Sequence, residues 1–128
     1  MELGQVVLVA EDQPTNLKIL AMWLRKRGIK VVTAKDGHEA VEQFLEHKPR
    51  ITLMDIQMPN KDGRVATEEI KAICPEALVI GLSGEPKVRY IQKDGSVAPF
   101  DDFHEKPFSF RLIEDLLRKA GVEFCSDA

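Results

Sequence analysis

Only two cysteines, Cys74 and Cys125, occur in the 128 residues, and neither has a second Cys or a His at metal-ligand spacing. A disulfide framework and a structural zinc site are therefore not indicated, and two reduced thiols remain. Basic charge is not in excess either. Eighteen Lys and Arg against 21 Asp and Glu give a formal net charge of −3 and a pI near 5.6. Such a balance offers no general attraction for a phosphate backbone, so direct nucleic-acid binding is not expected. No apolar run approaches the ~20 residues that a membrane-spanning helix needs, and the N-terminus shows no basic region leading into a signal-type apolar core. The expectation is a soluble, cytoplasmic protein without a membrane association.

What is present is a chain of alternating patterns. With 44% hydrophobic and 30% charged residues, residues 1–128 read as a single globular domain. Val6-Val7-Leu8-Val9-Ala10 is a continuous, mostly β-branched run that suits a strand buried on both faces, and Glu11-Asp12 stops it. Pro14 then opens a helical pattern, with Leu17, Leu20, Ala21 and Leu24 on one face and Gly28 placed to end it. Val31-Val32-Thr33 is a second strand. Asp36 and Glu39 have capping-box spacing, ahead of a stripe of Ala40, Val41, Phe44 and Leu45. Ile51 to Met54 form the third strand and run straight into Asp55, while Pro59 forbids continuation.

Beyond Asp62-Gly63, a third helical pattern carries Val65, Ala66, Ile70 and Ile73 and stops before Pro75. Leu78 to Leu82 supply a fourth strand. Between Gly84 and Pro99 the pattern is broken by Pro86 and Gly95, leaving room for a short helix at about Val88 to Lys93. Phe100 to Glu105 form a short fifth strand, and Leu112, Ile113, Leu116, Leu117 and Ala120 mark a last helix closed by Gly121. The order βαβαβαβαβα with short connections predicts an α/β fold: a five-stranded parallel sheet, doubly wound, with right-handed crossovers and helices on both faces.

Parallel strands bring their carboxyl ends to one edge, which is where ligands bind in such sheets. Glu11, Asp12, Asp55, Ser83 and Lys106 all fall at or near strand ends on that edge. Three converging carboxylates repel one another unless a cation neutralises them, and all-oxygen donors suit Mg2+. A carboxylate, a hard cation, a lysine and a hydroxyl are the parts needed to place a phosphoryl group on Asp55 and hold it there. Taken singly, each residue also has a plain reading: a solvated strand end, a turn hydroxyl, a surface lysine. Phe103 is equally a core aromatic, and His38, His47 and His104 read as surface or packing residues.

Four motifs in order carry a family resemblance: VLVAED with Glu11 and Asp12, LMDIQMPNKDG with Asp55, Pro59 and Gly63, IGLSG with Ser83, and DDFHEKPF with Lys106 and Pro107. Over about residues 5–120 the chain resembles a response-regulator receiver domain of two-component phosphorelay signalling. The resemblance implies a flavodoxin-like (βα)5 fold with strand order 2-1-3-4-5. It implies that Asp55 accepts phosphate from a phosphohistidine on a histidine kinase or a histidine phosphotransfer protein. Asp12, Asp55 and the backbone carbonyl of Gln57 would hold Mg2+, with Glu11 assisting through water. Ser83 and Lys106 would take phosphoryl oxygens, and Ser83 with Phe103 would form the switch, Phe103 turning inward as Ser83 moves. The face made by the fourth helix, fifth strand and fifth helix would then meet a partner or a second copy.

Two departures stand out. Gly84 follows the strand-four hydroxyl where the family usually has Ala, and residues 84–101 do not follow the usual fourth-helix pattern. Two other classes are weighed against the receiver. An aspartyl-nucleophile phosphohydrolase of the haloacid-dehalogenase type needs a second Asp two positions after the first, and Gln57 stands there. A phosphorylation-independent interaction module would have lost the acceptor, a metal acid or the lysine, and all are present.

Overall fold

A computed structural model describes residues 2–125. Five strands alternate with helices: β1 (Gly4–Ala10), α1 (Pro14–Arg25), β2 (Lys30–Ala34), α2 (Gly37–His47), β3 (Pro49–Asp55), α3 (Gly63–Ile73), β4 (Leu78–Ser83), β5 (Asp102–Glu105) and α4 (Phe110–Lys119). All strand pairings are parallel and the sheet order is β2-β1-β3-β4-β5. Among the described residues, no helix is long and apolar enough to cross a membrane.

Strand side chains alternate between two cores. Val7, Val9, Leu53, Ile80 and Leu82 pack with Leu20 and Leu24 of α1 and Ile113 and Leu117 of α4. Leu8, Ala10, Met54, Val79 and Phe103 pack with Phe44 of α2 and Ile70 of α3. This two-sided burial is why β1 and β3 read as unbroken apolar runs rather than as alternating ones.

Local signals set the helix ends. Asp36 caps α2 by accepting from the Glu39 amide at 2.8 Å, and Glu39 returns a bond to the Lys35 amide. Asp62 caps α3 through the Val65 amide, and Ser109 caps α4 through the Leu112 amide. Helix α1 stops at Arg25, and Gly28, at φ +78°, then turns the chain into β2.

The helical stripes are narrower than their sequence patterns suggest. Leu45, Val65 and Ile73 stand 44–45% exposed, because each lies at the border of a stripe centred on Phe44 or on Ala66 and Ile70. Strand β5 begins at Asp102, not Phe100, which is buried in the turn before it.

One expected element is replaced. In place of a helix from Val88 to Lys93 there is a single 3-10 turn, Lys87–Arg89, so the described residues form four α-helices rather than the five of (βα)5. Only Tyr90 of residues 88–93 docks on the core, while Val88 is 73% exposed and Ile91 45%, too narrow an apolar face to hold a helix. The surface expected from a fourth helix, fifth strand and fifth helix is therefore built from this turn, β5 and α4.

Candidate functional site

Four strand ends deliver the polar residues to one edge of the sheet. Glu11 follows β1 and is held by its amide to the Ala34 carbonyl at 2.9 Å. Asp55 and Ser83 are the last residues of β3 and β4, and both are buried. Lys106 follows β5, its amide donating to the Ser83 carbonyl at 2.7 Å. Asp12 is exposed at the rim.

The side chains converge. Lys106 Nζ lies 3.2 and 3.3 Å from the two Glu11 oxygens and 3.5 Å from Asp55 Oδ2. One carboxylate oxygen from each of Glu11, Asp12 and Asp55 falls within 4.8 Å of the others. Among the described residues Lys106 alone pairs with any of these three acids, so the cluster is under-neutralised. Burial pushes the Asp55 carboxyl up to about 7, reinforced by the hydrogen bond and charge of Glu11 and the charge of Asp12, with Lys106 opposing. Burial also pushes Glu11 upward, but the Asp55 proton, Lys106 and Asn16 outweigh it and hold Glu11 below its ordinary range.

Close packing sets the position of Asp55. A Cβ on Gly63 would lie 2.0 Å from the Asp55 carbonyl oxygen, so only glycine lets α3 begin against the end of β3. Gly84, by contrast, faces open space and needs no glycine for packing. A cleft of about 400 Å3 opens beside Asp55 and Lys106, walled by Asn16, Ile19, Phe108 and Phe110.

The remaining expected residues are placed as follows. Ser83 Oγ accepts from the Glu85 amide at 3.0 Å, within its own loop. Gln57 is exposed, and its side-chain amide donates to the Glu85 carboxylate, which pairs with Arg89 at 2.8 Å. Phe103 stands inward in this structure. Its ring is already fully buried, stacked on Tyr90 at 5.0 Å and edge-on to Phe100 at 6.1 Å. His104 pairs with Asp102 at 3.1 Å, away from the acid cluster. Asn16, Glu85, Arg89 and Tyr90 were not singled out by sequence, because their roles depend on which loops meet.

A parallel doubly wound domain with a strand-end aspartate, two further acids and a lysine at one sheet edge defines the class: an α/β domain with an aspartate-centred acidic site. Residues 7–118 match the response regulator receiver domain, and the chain belongs to that family. It is 39% identical over 114 residues to the transcriptional regulatory protein PdtaR of Mycobacterium tuberculosis, covering 87% of this chain but 52% of that protein. The chain thus spans about half the length of PdtaR and 13% of the sensor kinase/phosphatase LuxN of Vibrio harveyi. The chemotaxis protein CheY of Bacillus subtilis is 33% identical over 114 residues, with 88% of this chain and 94% of that protein covered. Among solved structures, the receiver domain of a Pseudomonas aeruginosa sensor histidine kinase, with magnesium coordinated in its active-site cleft, aligns with TM-score 0.76 and 31% identity, over 92% of this chain and 98% of that one. TrrA of Thermotoga maritima, in complex with Mg2+ and BeF, aligns with TM-score 0.78 and 27% identity, over 90% and 97%.

Proposed function

We propose that this chain is a cytoplasmic phosphorylation switch in which Asp55 takes a phosphoryl group from a phosphohistidine on a histidine kinase or a histidine phosphotransfer protein. The observation that carries the reading is the contact of Lys106 with both Glu11 and Asp55 beside three converging carboxylates. Family membership makes the chain a signalling switch, and Gln57 in place of a second Asp argues against a phosphohydrolase.

The donor set fits a hard divalent cation: three carboxylates, all oxygen, close enough to share one ion. Asp12 and Asp55 would hold Mg2+ together with the Gln57 carbonyl, and Glu11 would assist through water. A bound Mg2+ would supply positive charge against the acids and the incoming phosphoryl oxygens.

The chain's own groups then divide the work. The ionised Asp55 carboxylate attacks phosphorus, and as its O–P bond forms the P–N bond breaks, the imidazole leaving with the electron pair and taking up a proton from water. Lys106 exchanges a carboxylate for a phosphoryl oxygen, a short move from where Nζ already lies. The Ser83 hydroxyl, released from the Glu85 amide, donates to another phosphoryl oxygen. Donors fixed around the place where charge develops account for the reaction without a second nucleophile. The chain promotes only its own phosphorylation and dephosphorylation.

Incubation with phosphoramidate and Mg2+ should add one phosphoryl group by intact mass, and Asp55→Asn should abolish it. Full labelling of that variant would refute the assignment. Asp12→Ala should weaken Mg2+ binding at least tenfold, roughly the cost of losing one ligand contact, while the fold persists. Unchanged Mg2+ affinity by calorimetric titration would remove Asp12 from the site.

A further inference from the structure

The N-terminus of α2 lies outside the acid cluster, yet it is tied at two points to the loop that leaves Asp55. The Gly37 amide donates to the Lys61 carbonyl at 2.8 Å, and a Cβ on Gly37 would lie 2.1 Å from that oxygen. The tie is as close as backbone allows. The second tie is made by side chains: Asn60 Nδ2 donates to Asp36 Oδ2 at 2.9 Å, while the other Asp36 oxygen caps α2.

Asn60 sits at φ +67°, a left-handed conformation that asparagine tolerates better than most residues. Lys61 is held from a third direction, its ammonium bonding Glu69 on α3. The far end of the loop is pinned by Gly63, whose amide donates to the Ile56 carbonyl at 2.8 Å. Between these anchors lie Ile56 and Met58, both buried, and Gln57. The loop therefore has little freedom of its own. It is anchored to β4 by the Ile56 amide on the Leu82 carbonyl at 3.1 Å, and at Asn60 and Lys61 to the start of α2.

We infer that Asp36 and Gly37 are positioning residues for the reaction at Asp55, acting through Asn60 and Lys61 on the loop that presents the Gln57 carbonyl. The inference rests on the proposed Mg2+ site. Groups that orient a metal ligand without touching the metal commonly change affinity by 10- to 100-fold when lost, and a misplacement of about 1 Å can cost a reaction as much.

Two substitutions separate positioning from helix stability. Asp36→Ser keeps a hydroxyl to cap α2 and removes the oxygen that Asn60 uses. Asn60→Gly keeps the left-handed backbone and removes the amide. Gly37→Ala is the stronger perturbation, since its methyl must displace the Lys61 carbonyl, and the two milder variants stand in for it if it does not fold.

The experiment is a Mg2+ titration of the folded chain, followed by backbone amide resonances of residues 56–63 and by the rate of phosphoramidate labelling at each Mg2+ concentration. Both Asp36→Ser and Asn60→Gly should need about tenfold more Mg2+ for half-saturation and half-maximal rate. A half-point within twofold of wild type in both variants overturns the inference and leaves the proposed site intact. Failure of the wild-type chain to bind Mg2+ overturns the site reading itself, and the inference with it.

Discussion

In the absence of metal, Asp55→Asn should be more stable than the wild-type chain at pH 8, by about 2 to 3 kcal/mol. Folding carries the Asp55 carboxyl from an ordinary value of 3.8 to about 7. Between these values the folded state holds a proton that the unfolded state has released, so wild-type stability falls as pH rises through that window. Below it both states are protonated, and above it both are ionised, so the loss is complete. Asparagine does not titrate, so the variant's advantage should grow across the same window and be small near pH 4. The depressed Glu11 carboxyl works in the opposite direction, so the full Asp55 shift is an upper bound on the effect. Addition of Mg2+ at pH 8 should stabilise wild type more than the variant, because only wild type offers the third carboxylate. Urea unfolding at several pH values, with and without Mg2+, measures all of this. A variant less stable than wild type at pH 8 without metal would show that the cluster is not electrostatically strained.

The second large effect is expected at Phe103. Truncation to alanine should cost about 3 to 5 kcal/mol, the usual range for a large aromatic deleted from a core, and a substantial part of a domain's total stability. The ring is fully buried, touches Phe100 and Tyr90, and packs so closely on β4 that a Cβ at Gly81 would lie 2.9 Å from it. Phe103→Leu keeps most of the apolar volume and should cost far less. Unfolding by urea decides it: a loss below about 1 kcal/mol for Phe103→Ala would mean that the cavity closes over or that the ring is not part of the core. Because this position serves the core, Tyr90 is the better probe of signalling. It is half-buried, stacks on Phe103 and follows Arg89, which is paired to Glu85 next to the Ser83 loop.

Strands and the polar residues at their ends were legible in the sequence for one physical reason. A strand buried on both faces needs an unbroken apolar run, and a charge or hydroxyl that ends such a run marks the sheet edge, as at Ala10-Glu11, Met54-Asp55 and Leu82-Ser83. The cap at Asp36 was legible because it bonds within three residues. The orientation of Phe103 was not, since it depends on the register that sets Gly81 beside it across the strands. Nor was the chain of contacts from Gln57 to Glu85 to Arg89, which joins two loops far apart in sequence. Residues 84–101 resisted for a different reason: Pro86, Gly95 and Pro99 bound the stretch without specifying what fills it. The structure shows a 3-10 turn held by the Lys87 amide bonding Glu105 at 2.7 Å.

That bond joins the turn to the residue before Lys106, and the Ser83 loop joins it from the other side. A phosphoryl group that draws Ser83 and Lys106 inward would therefore pull on both ends of the segment carrying Tyr90. The most direct measurement is amide shift mapping of the chain before and after phosphorylation by phosphoramidate and Mg2+. The account predicts changes at Asp55 and the acid cluster that continue through Glu85, Arg89 and Tyr90 to β5, and that stop short of Tyr90 in Ser83→Ala although Asp55 is still labelled. Changes confined to the acid cluster in the wild-type chain, with Tyr90 and Phe103 unmoved, would contradict it.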